Sequence, residues 1–175
     1  MFTRRCRRMS PVEVRVASWA DLAPLIAVLG QERYFADRLA RQDSRRGMLL
    51  VALLDGRAVG DVYLWLEQAE EADVRRYLPG VPLLGHLEVL PGLRGHGIGT
   101  EITRVAEEAL RRLGHDRVAL GVDMDNHRAA ALYERLGYAH WGYAPVDTTQ
   151  EVYRSDGTIE RIPEKCYILV KELRR

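Results

Sequence analysis

Residues 86–103 constrain the fold of this chain more than any other part of the sequence. Polar and apolar residues alternate up to Pro91, which has no N–H to donate to a sheet and therefore ends a predicted strand. Glycines then occupy every second position from Gly95 to Gly99, and apolar residues at helical spacing follow. The sequence therefore predicts a strand, a glycine-rich loop and a helix that begins within residues 97–100.

The start of this helix is a predicted anion site. The first N–H groups of a helix have no acceptor within it, and the helix dipole places about half a positive charge there. Arg94 adds a full charge, and the glycines allow the backbone to approach a ligand closely. Thr100 stands where a dinucleotide fingerprint needs glycine, and the Gly-Lys-Ser/Thr of a P-loop is absent. Neither nucleotide motif therefore fits.

Two motifs resemble those of a known family. Val-Leu-Pro-Gly-Leu-Arg-Gly-His-Gly-Ile-Gly at 89–99 resembles the acetyl-CoA pyrophosphate loop of the GCN5-related N-acetyltransferases, the GNAT family. A second motif follows in the family's order: Asn126-x-x-Ala129-x-x-Leu132-Tyr133-x-x-x-Gly137-Tyr138. The resemblance implies an α+β fold with a mixed, mostly antiparallel central sheet flanked by helices, forming one domain over residues 12–175.

The resemblance also implies acetyl-CoA as co-substrate and no metal. Cofactor contacts are expected from the splayed strand, the loop and the second motif: Leu87, Val89, Leu90, Arg94, Gly95, His96, Gly97, Ile98, Gly99, Thr100 and Asn126. Asn126 is in addition a predicted N-cap for the helix that follows it. The backbone N–H of Val89 or Leu90 is the expected donor to the developing oxyanion.

Three side chains are candidates for proton transfer. An amine must lose a proton before it attacks a thioester, and a carboxylate or an imidazole can accept that proton. Glu88 ranks first and His86 second, because side-chain alternation places both on one face of the strand. Glu88 could instead be an ordinary paired carboxylate. Tyr133 is the candidate acid for the departing thiolate, and its alternative role is packing on its helix.

The remaining elements are predicted from periodicity and turn signals. Val12–Ala17 alternates as a strand, two helical stretches lie within residues 18–46, and Asp-Gly joins strands at 48–54 and 58–67 into a hairpin. In the second helix Tyr34 and Phe35 are predicted mainly as core residues and secondarily as the lining of an acceptor pocket.

The second half of the chain completes the predicted sheet. A strand at 117–124 precedes a helix at 127–136, and two closing strands are expected at 138–143 and 165–173, with a turn at 154–158. The acidic run 67–73 is predicted as a solvated loop or one short helix, with an acidic rim that attracts a cationic amine as the alternative.

Composition limits the classes of function. Hydrophobic residues make up 47% and charged residues 29% of the 175, and the formal net charge is +1, so neither disorder nor a nucleic-acid or membrane partner is expected. Cys6 and Cys166 are too few for a disulfide framework and lack metal-ligand spacing, which favours a cytoplasmic location. Residues 1–11 are a predicted flexible basic tail.

The leading hypothesis is an N-acetyltransferase that moves an acetyl group from acetyl-CoA to a primary amine of a small molecule or peptide. The alternatives are a non-catalytic acyl-CoA-binding regulatory module and a nucleotide-binding protein. The sequence carries no motif that identifies the acceptor, and it leaves open whether the protein forms a homodimer.

Overall fold

A mixed eight-stranded sheet runs through the residues that the computed structural model describes, which are 10–154 and 156–173. Its strands are β1 (Glu13–Val16), β2 (Gly47–Leu54), β3 (Arg57–Trp65), β4 (Leu83–Val89), β5 (Arg117–Asp123), β6 (Ala139–His140), β7 (Val146–Tyr153) and β8 (Ile159–Glu172). The helices are α1 (Leu22–Leu29), α2 (Glu32–Asp43), α3 (Ala72–Tyr77), α4 (Ile98–Arg112) and α5 (His127–Arg135). Most of the predicted N-terminal tail, residues 1–9, lies outside the described residues.

The strand order is β1-β2-β3-β4-β5-β8-β6, and β7 pairs with β8 beside β6. Neighbouring strands are antiparallel except β4 and β5, which are parallel. This confirms the predicted mixed, mostly antiparallel sheet. No helix among the described residues has both the length and the apolar character needed to cross a bilayer.

The helices cover both faces of the sheet. On one face α4 buries residues at helical spacing, which were expected from its periodicity, and these are Ile98, Ile102, Ala106 and Leu110. On the other face α1 and α2 pack on β2 and β3, where Tyr34, Phe35 and Leu39 are almost completely buried. The predicted core role of this aromatic pair is therefore confirmed.

The central strands separate after a short contact. β4 and β5 pair only at Leu83 with Ala119 and at Leu84 with Leu120, and beyond those positions the two strands diverge. The register between β3 and β4 also shifts, because β4 carries one extra residue between the partners of Asp61 and Tyr63. A gap with a bulged edge therefore opens in the middle of the sheet.

The closing strands differ from the prediction. Only Ala139–His140 of the expected strand 138–143 pairs, and β8 begins at Ile159 rather than at Lys165. Its first half forms a long hairpin with β7, which the sequence analysis did not predict. The strand β7 contains Asp-Thr-Thr-Gln-Glu, which offers no continuous apolar face for periodicity to detect. The predicted turn at 154–158 is present, since the Asp156 side chain accepts from the Thr158 N–H at 2.9 Å.

Candidate active site

The glycine-rich loop ends in a helix whose first N–H groups are free to bind a ligand. Gly95 and Gly97 adopt φ angles of 85° and 84°, which lie in the left-handed region that glycine tolerates best. Helix α4 begins at Ile98, and the Glu101 N–H donates to the Gly97 carbonyl at 3.0 Å. The three N–H groups before Glu101 therefore have no acceptor within the helix, which is the arrangement that the predicted anion site requires.

A cavity of about 500 Å³ lies against this loop, and we call it the loop cavity. Nine of the expected cofactor residues line it: Leu87, Val89, Arg94, Gly95, Gly97, Ile98, Gly99, Thr100 and Asn126. Leu90 and His96 are not among its lining residues. The Asn126 side chain also accepts from the Ala129 N–H at 3.1 Å, so its predicted capping role is confirmed.

Two arginines that no sequence motif singled out, Arg128 and Arg135, also line the loop cavity. A β-carbon on Gly95 would lie 3.8 Å from the Arg128 guanidinium, which therefore lies beside the loop. Arg94 donates from Nε to the Val89 carbonyl at 2.8 Å. Arg128 occupies an unspecified position between Asn126 and Ala129 of the second motif, so only its charge near a helix start could have drawn attention to it.

The expected oxyanion donors differ in their availability. The Leu90 N–H donates to the Val59 carbonyl at 2.9 Å and is therefore already engaged within the sheet. Because successive N–H groups point to opposite edges of a strand, the Val89 N–H faces the gap toward β5. Of the two predicted donors, Val89 is thus the one available to a ligand in the gap.

Tyr133 lies on α5 with 7% of its surface exposed and lines the loop cavity. Its ring packs edge-on against Tyr138, with 5.4 Å between centroids. Burial raises the pKa of the Tyr133 phenol well above its usual value. The phenol therefore keeps its proton over the whole physiological range and is a hydrogen-bond donor there.

A second cavity, of about 270 Å³, lies on the α2 side of the sheet, and we call it the α2 cavity. β4 lines it through Leu83, Leu84, Gly85 and His86, and the unpredicted β7–β8 hairpin supplies another wall. Glu70, Glu71 and Glu164 also line it, together with the rings of Tyr34, Tyr63 and Trp65. Two glutamates of the acidic run therefore border a cavity, as the alternative interpretation of that run required.

Four polar side chains meet where β4 borders the α2 cavity. His86 Nδ1 lies 3.1 Å from Asp61 Oδ2, and its Nε2 lies 3.2 Å from Gln31 Oε1 and 3.5 Å from Glu88 Oε2. Gln31 Nε2 in turn donates to Glu88 Oε2 at 3.2 Å. The expected pair of His86 and Glu88 is therefore brought together. Asp61, which completes the group, was missed because no motif surrounds it.

For both Asp61 and His86, burial and the neighbouring charges shift the pKa in opposite directions. Burial raises the pKa of Asp61, and the hydrogen bond from His86 only partly offsets this effect. Burial lowers the pKa of His86, but the hydrogen bond and charge of Asp61, with the charge of Glu88, more than offset it and raise the pKa overall. The two carboxylates therefore stabilise the imidazolium form of His86.

The same group contains oxygen and nitrogen atoms of the kind that bind divalent cations. The nearest such atoms of Asp61, His86 and Glu88 lie within 4.8 Å of one another. Hydrogen bonds between these side chains account for their proximity without an ion.

Comparison with known proteins gives a family and related folds. The model of the acetyltransferase (GNAT) family matches residues 15–138. A mycothiol acetyltransferase of Salinispora tropica is 37% identical over 114 residues, which cover 61% of this chain and 34% of that protein. One of Salinispora arenicola is 48% identical over 67 residues, covering 36% of this chain and 22% of that protein. The chain thus spans about a third or less of the length of these two relatives.

The fold is also shared with solved acetyltransferase structures. An N-acetyltransferase of Thermoplasma acidophilum, solved in complex with coenzyme A, superposes with a TM-score of 0.65 at 16% identity, covering 93% of this chain and 99% of that one. The matched family model extends from β1 through the second motif and so includes the loop, the gap and α5. The chain belongs to the GNAT family of acetyltransferases.

Proposed function

We propose that the protein transfers an acetyl group from acetyl-CoA to a primary amine of a small molecule or peptide. The observation that supports this most directly is the position of β4 between two cavities. One side of the strand meets the free N–H groups of the loop cavity, and the other side carries His86 into the α2 cavity. A thioester donor and an amine acceptor can then meet at the gap between β4 and β5.

The loop cavity has the chemistry that a pyrophosphate requires. Backbone N–H groups at the start of α4 provide donors, and Arg94 and Arg128 provide positive charge. The residues present therefore fit acetyl-CoA, which when bound supplies a carbonyl carbon for attack and a thiolate as leaving group.

Different residues accept the amine proton, stabilise the carbonyl oxygen and stabilise the departing sulfur. His86 or Glu88 takes a proton from the acceptor amine, whose nitrogen bonds to the acetyl carbon as the carbon–sulfur bond breaks. The Val89 N–H donates to the carbonyl oxygen. Tyr133 donates a hydrogen bond to the departing sulfur, and because burial raises its pKa, it stabilises the thiolate better than it transfers its proton.

The α2 cavity supports an amine as the acceptor. Glu70, Glu71 and Glu164 carry negative charge, and Arg38 is the one arginine among the described residues that line this cavity. The Arg38 charge is partly neutralised by Asp37, at 2.7 Å. Such a lining attracts a cation and disfavours an anionic acceptor.

The cofactor assignment is tested by substitution in the loop. Gly97→Val places a β-branched residue at a φ of 84°, where it is strained, and should weaken acetyl-CoA binding at least about 10-fold in a calorimetric titration. Gly92→Ala in the same loop is the matched control, since a β-carbon there would meet no atom within 4 Å. Equal affinities for the Gly97→Val variant and the parent would contradict the assignment.

Thiol release with a panel of amines tests the chemistry. Release that depends on the amine supports the transferase. Acetyl-CoA binding without release for any amine would favour a non-catalytic acyl-CoA-binding module, and binding of ATP or NAD in place of acetyl-CoA would favour a nucleotide-binding protein.

A further inference from the structure

We infer that Asp61 is a positioning residue that makes His86, rather than Glu88, the base of the reaction. This inference rests on the proposed function and concerns the same site. Asp61 lies on β3 with 0% of its surface exposed, and its carboxylate meets the ring of His86 across the pair of strands. Neither the glycine-rich loop nor the second motif includes it.

The burial of Asp61 is energetically costly. A carboxylate removed from water is destabilising unless its oxygens find partners, yet no described residue hydrogen-bonds to Asp61 Oδ1. Its other oxygen has His86 Nδ1 as partner, at 3.1 Å. An apolar residue would serve a purely structural role at this strand position better than a carboxylate with one unsatisfied oxygen.

His86 is held in a constrained conformation. Its φ angle is 52°, which a residue with a β-carbon rarely adopts, and it lies at the extra residue of the β4 bulge. Its ring packs on that of Tyr34, with 4.1 Å between centroids. Strained residues held by their surroundings concentrate at functional sites. The bulge, Tyr34 and Asp61 together fix the direction of the imidazole.

The atoms around the imidazole ring also favour His86 as the base. Oxygens lie at both nitrogens, with Asp61 at Nδ1 and with Gln31 and Glu88 at Nε2. This arrangement suits an imidazolium, the form that His86 takes after it accepts a proton. A buried carboxylate at Nδ1 also fixes the tautomer that leaves Nε2 as the acceptor. Asp61 thus both orients the base and stabilises its protonated form.

His86 and Glu88 differ in their access to the α2 cavity. His86 lines the α2 cavity, whereas Glu88 is not among the described residues that do so. Glu88 instead accepts from Gln31 and lies 3.5 Å from His86 Nε2, the nitrogen that takes the proton. Glu88 therefore adds negative charge beside that nitrogen, while His86 itself borders the space available to an amine.

The central test is the pH dependence of kcat/KM for Asp61→Asn with the best amine. The charged or titratable groups that face His86 are Asp61 on β3, Glu88 on its own strand, and Tyr34 and Arg38 on α2. Asp61 raises the pKa of His86, so the parent gains activity as pH rises through that raised value. Asp61→Asn should lose on the order of 10²-fold in kcat/KM at neutral pH, and its acid limb should move to lower pH.

A double substitution distinguishes positioning from structural support. If Asp61 acts through His86, Asp61→Asn should cost nothing further, within about twofold, in a His86→Gln protein. If it only supports the sheet, the same loss should recur in both backgrounds, which would overturn the inference. Asp21→Asn is the matched control, since this buried carboxylate pairs with Arg15 at 2.7 Å and should leave the pH profile unchanged.

Two further measurements distinguish a failure of the proposed function from a failure of this inference. Acetyl-CoA titration of every variant should give affinities within about threefold of the parent, because Asp61 does not line the loop cavity. A parent that acetylates no amine would refute the proposed function, whereas an active parent matched by Asp61→Asn would refute only this inference. Loss of activity with EDTA and its recovery with Zn²⁺ would show that the group binds a cation, and would also overturn it.

Discussion

Asp61 and Glu107 are both buried carboxylates, but they are surrounded differently. Glu107, on α4, is 3% exposed and has Lys171 Nζ at 2.8 and 2.7 Å from its two oxygens. Tyr138 also donates to it at 3.1 Å, and Arg111 lies 3.5 Å away. Among the described residues, the Asp61 carboxylate has one hydrogen-bond partner, His86, and its second oxygen has none.

The difference shows how burial alone fails to identify a functional carboxylate. The partners of Glu107 are a lysine, an arginine and a tyrosine hydroxyl, so the cluster joins α4 to β8 and to the segment after α5 as a fixed connection. The partner of Asp61 is an imidazole, which can gain and lose a proton. We expect substitutions around Glu107 to change stability and those around Asp61 to change the rate.

The largest effect should follow from removing the cation beside Glu107. Lys171→Met leaves a buried carboxylate with only Arg111 and Tyr138, and should lower the free energy of unfolding by about 3 kcal/mol. The rate per folded molecule should stay within about twofold of the parent. Denaturant unfolding measures the first quantity. Lys165→Met is the control, because its pair with Asp147 is exposed and is worth at most about 1 kcal/mol.

Tyr133→Phe should have the next largest effect, and on the rate alone. A hydrogen bond to a charged group is worth about 1.5–3 kcal/mol, so kcat should fall by about 10- to 100-fold while acetyl-CoA affinity stays nearly intact. Steady-state kinetics and titration separate the two. Weaker binding with unchanged kcat would mark Tyr133 as a packing or binding residue.

Tyr138→Phe should lower stability and not the rate, although the ring of Tyr138 packs against that of Tyr133. Its hydroxyl donates to Glu107, so its loss should cost about 1–2 kcal/mol of stability and leave kcat unchanged. Thermal or denaturant unfolding of the Tyr133→Phe and Tyr138→Phe variants together provides the comparison. If Tyr138→Phe lowered kcat as much as Tyr133→Phe does, the Glu107 cluster would affect the rate and not only the stability, contrary to our expectation.

The smallest effect should come from Glu88→Gln. If Glu88 only adds charge beside His86 Nε2, kcat/KM should fall by about threefold, as expected for a partly exposed charge that does not itself take the proton. The measurement is the pH profile with the best amine. A deficit greater than 10-fold that narrows at high pH would restore Glu88 to the first rank that the sequence analysis gave it.

The loop side of the molecule was predictable from sequence because its determinants are local. The glycines at 95–99, Arg94 and the periodic residues of α4 lie close together in the chain, and each has a fixed consequence for the backbone. The N-cap of α5 was predictable for the same reason. These residues formed the expected cavity, with Leu90 and His96 as the exceptions.

The α2 side depends on contacts between distant residues. Asp61 and His86 are 25 positions apart, and the bulge that brings their side chains together lies between strands that are distant in the sequence. Two signals were available, a lone carboxylate in the apolar strand β3 and Gly85 inside β4, because a glycine within a strand often marks a bulge. The β7–β8 hairpin was missed because its first arm is polar on both faces, although it forms a wall of the α2 cavity.

The short contact between β4 and β5 makes an occupant of the gap part of the sheet. The amide edge of β4 beyond Leu84 has no strand on its β5 side, so a bound pantetheine chain would complete the interrupted ladder with its own amides. When the product leaves, the hydrogen bonds between the pantetheine chain and β4 break, and water again solvates that edge of the strand. Backbone amides such as that of Val89 should accordingly exchange with deuterium faster in the empty protein than in the loaded one.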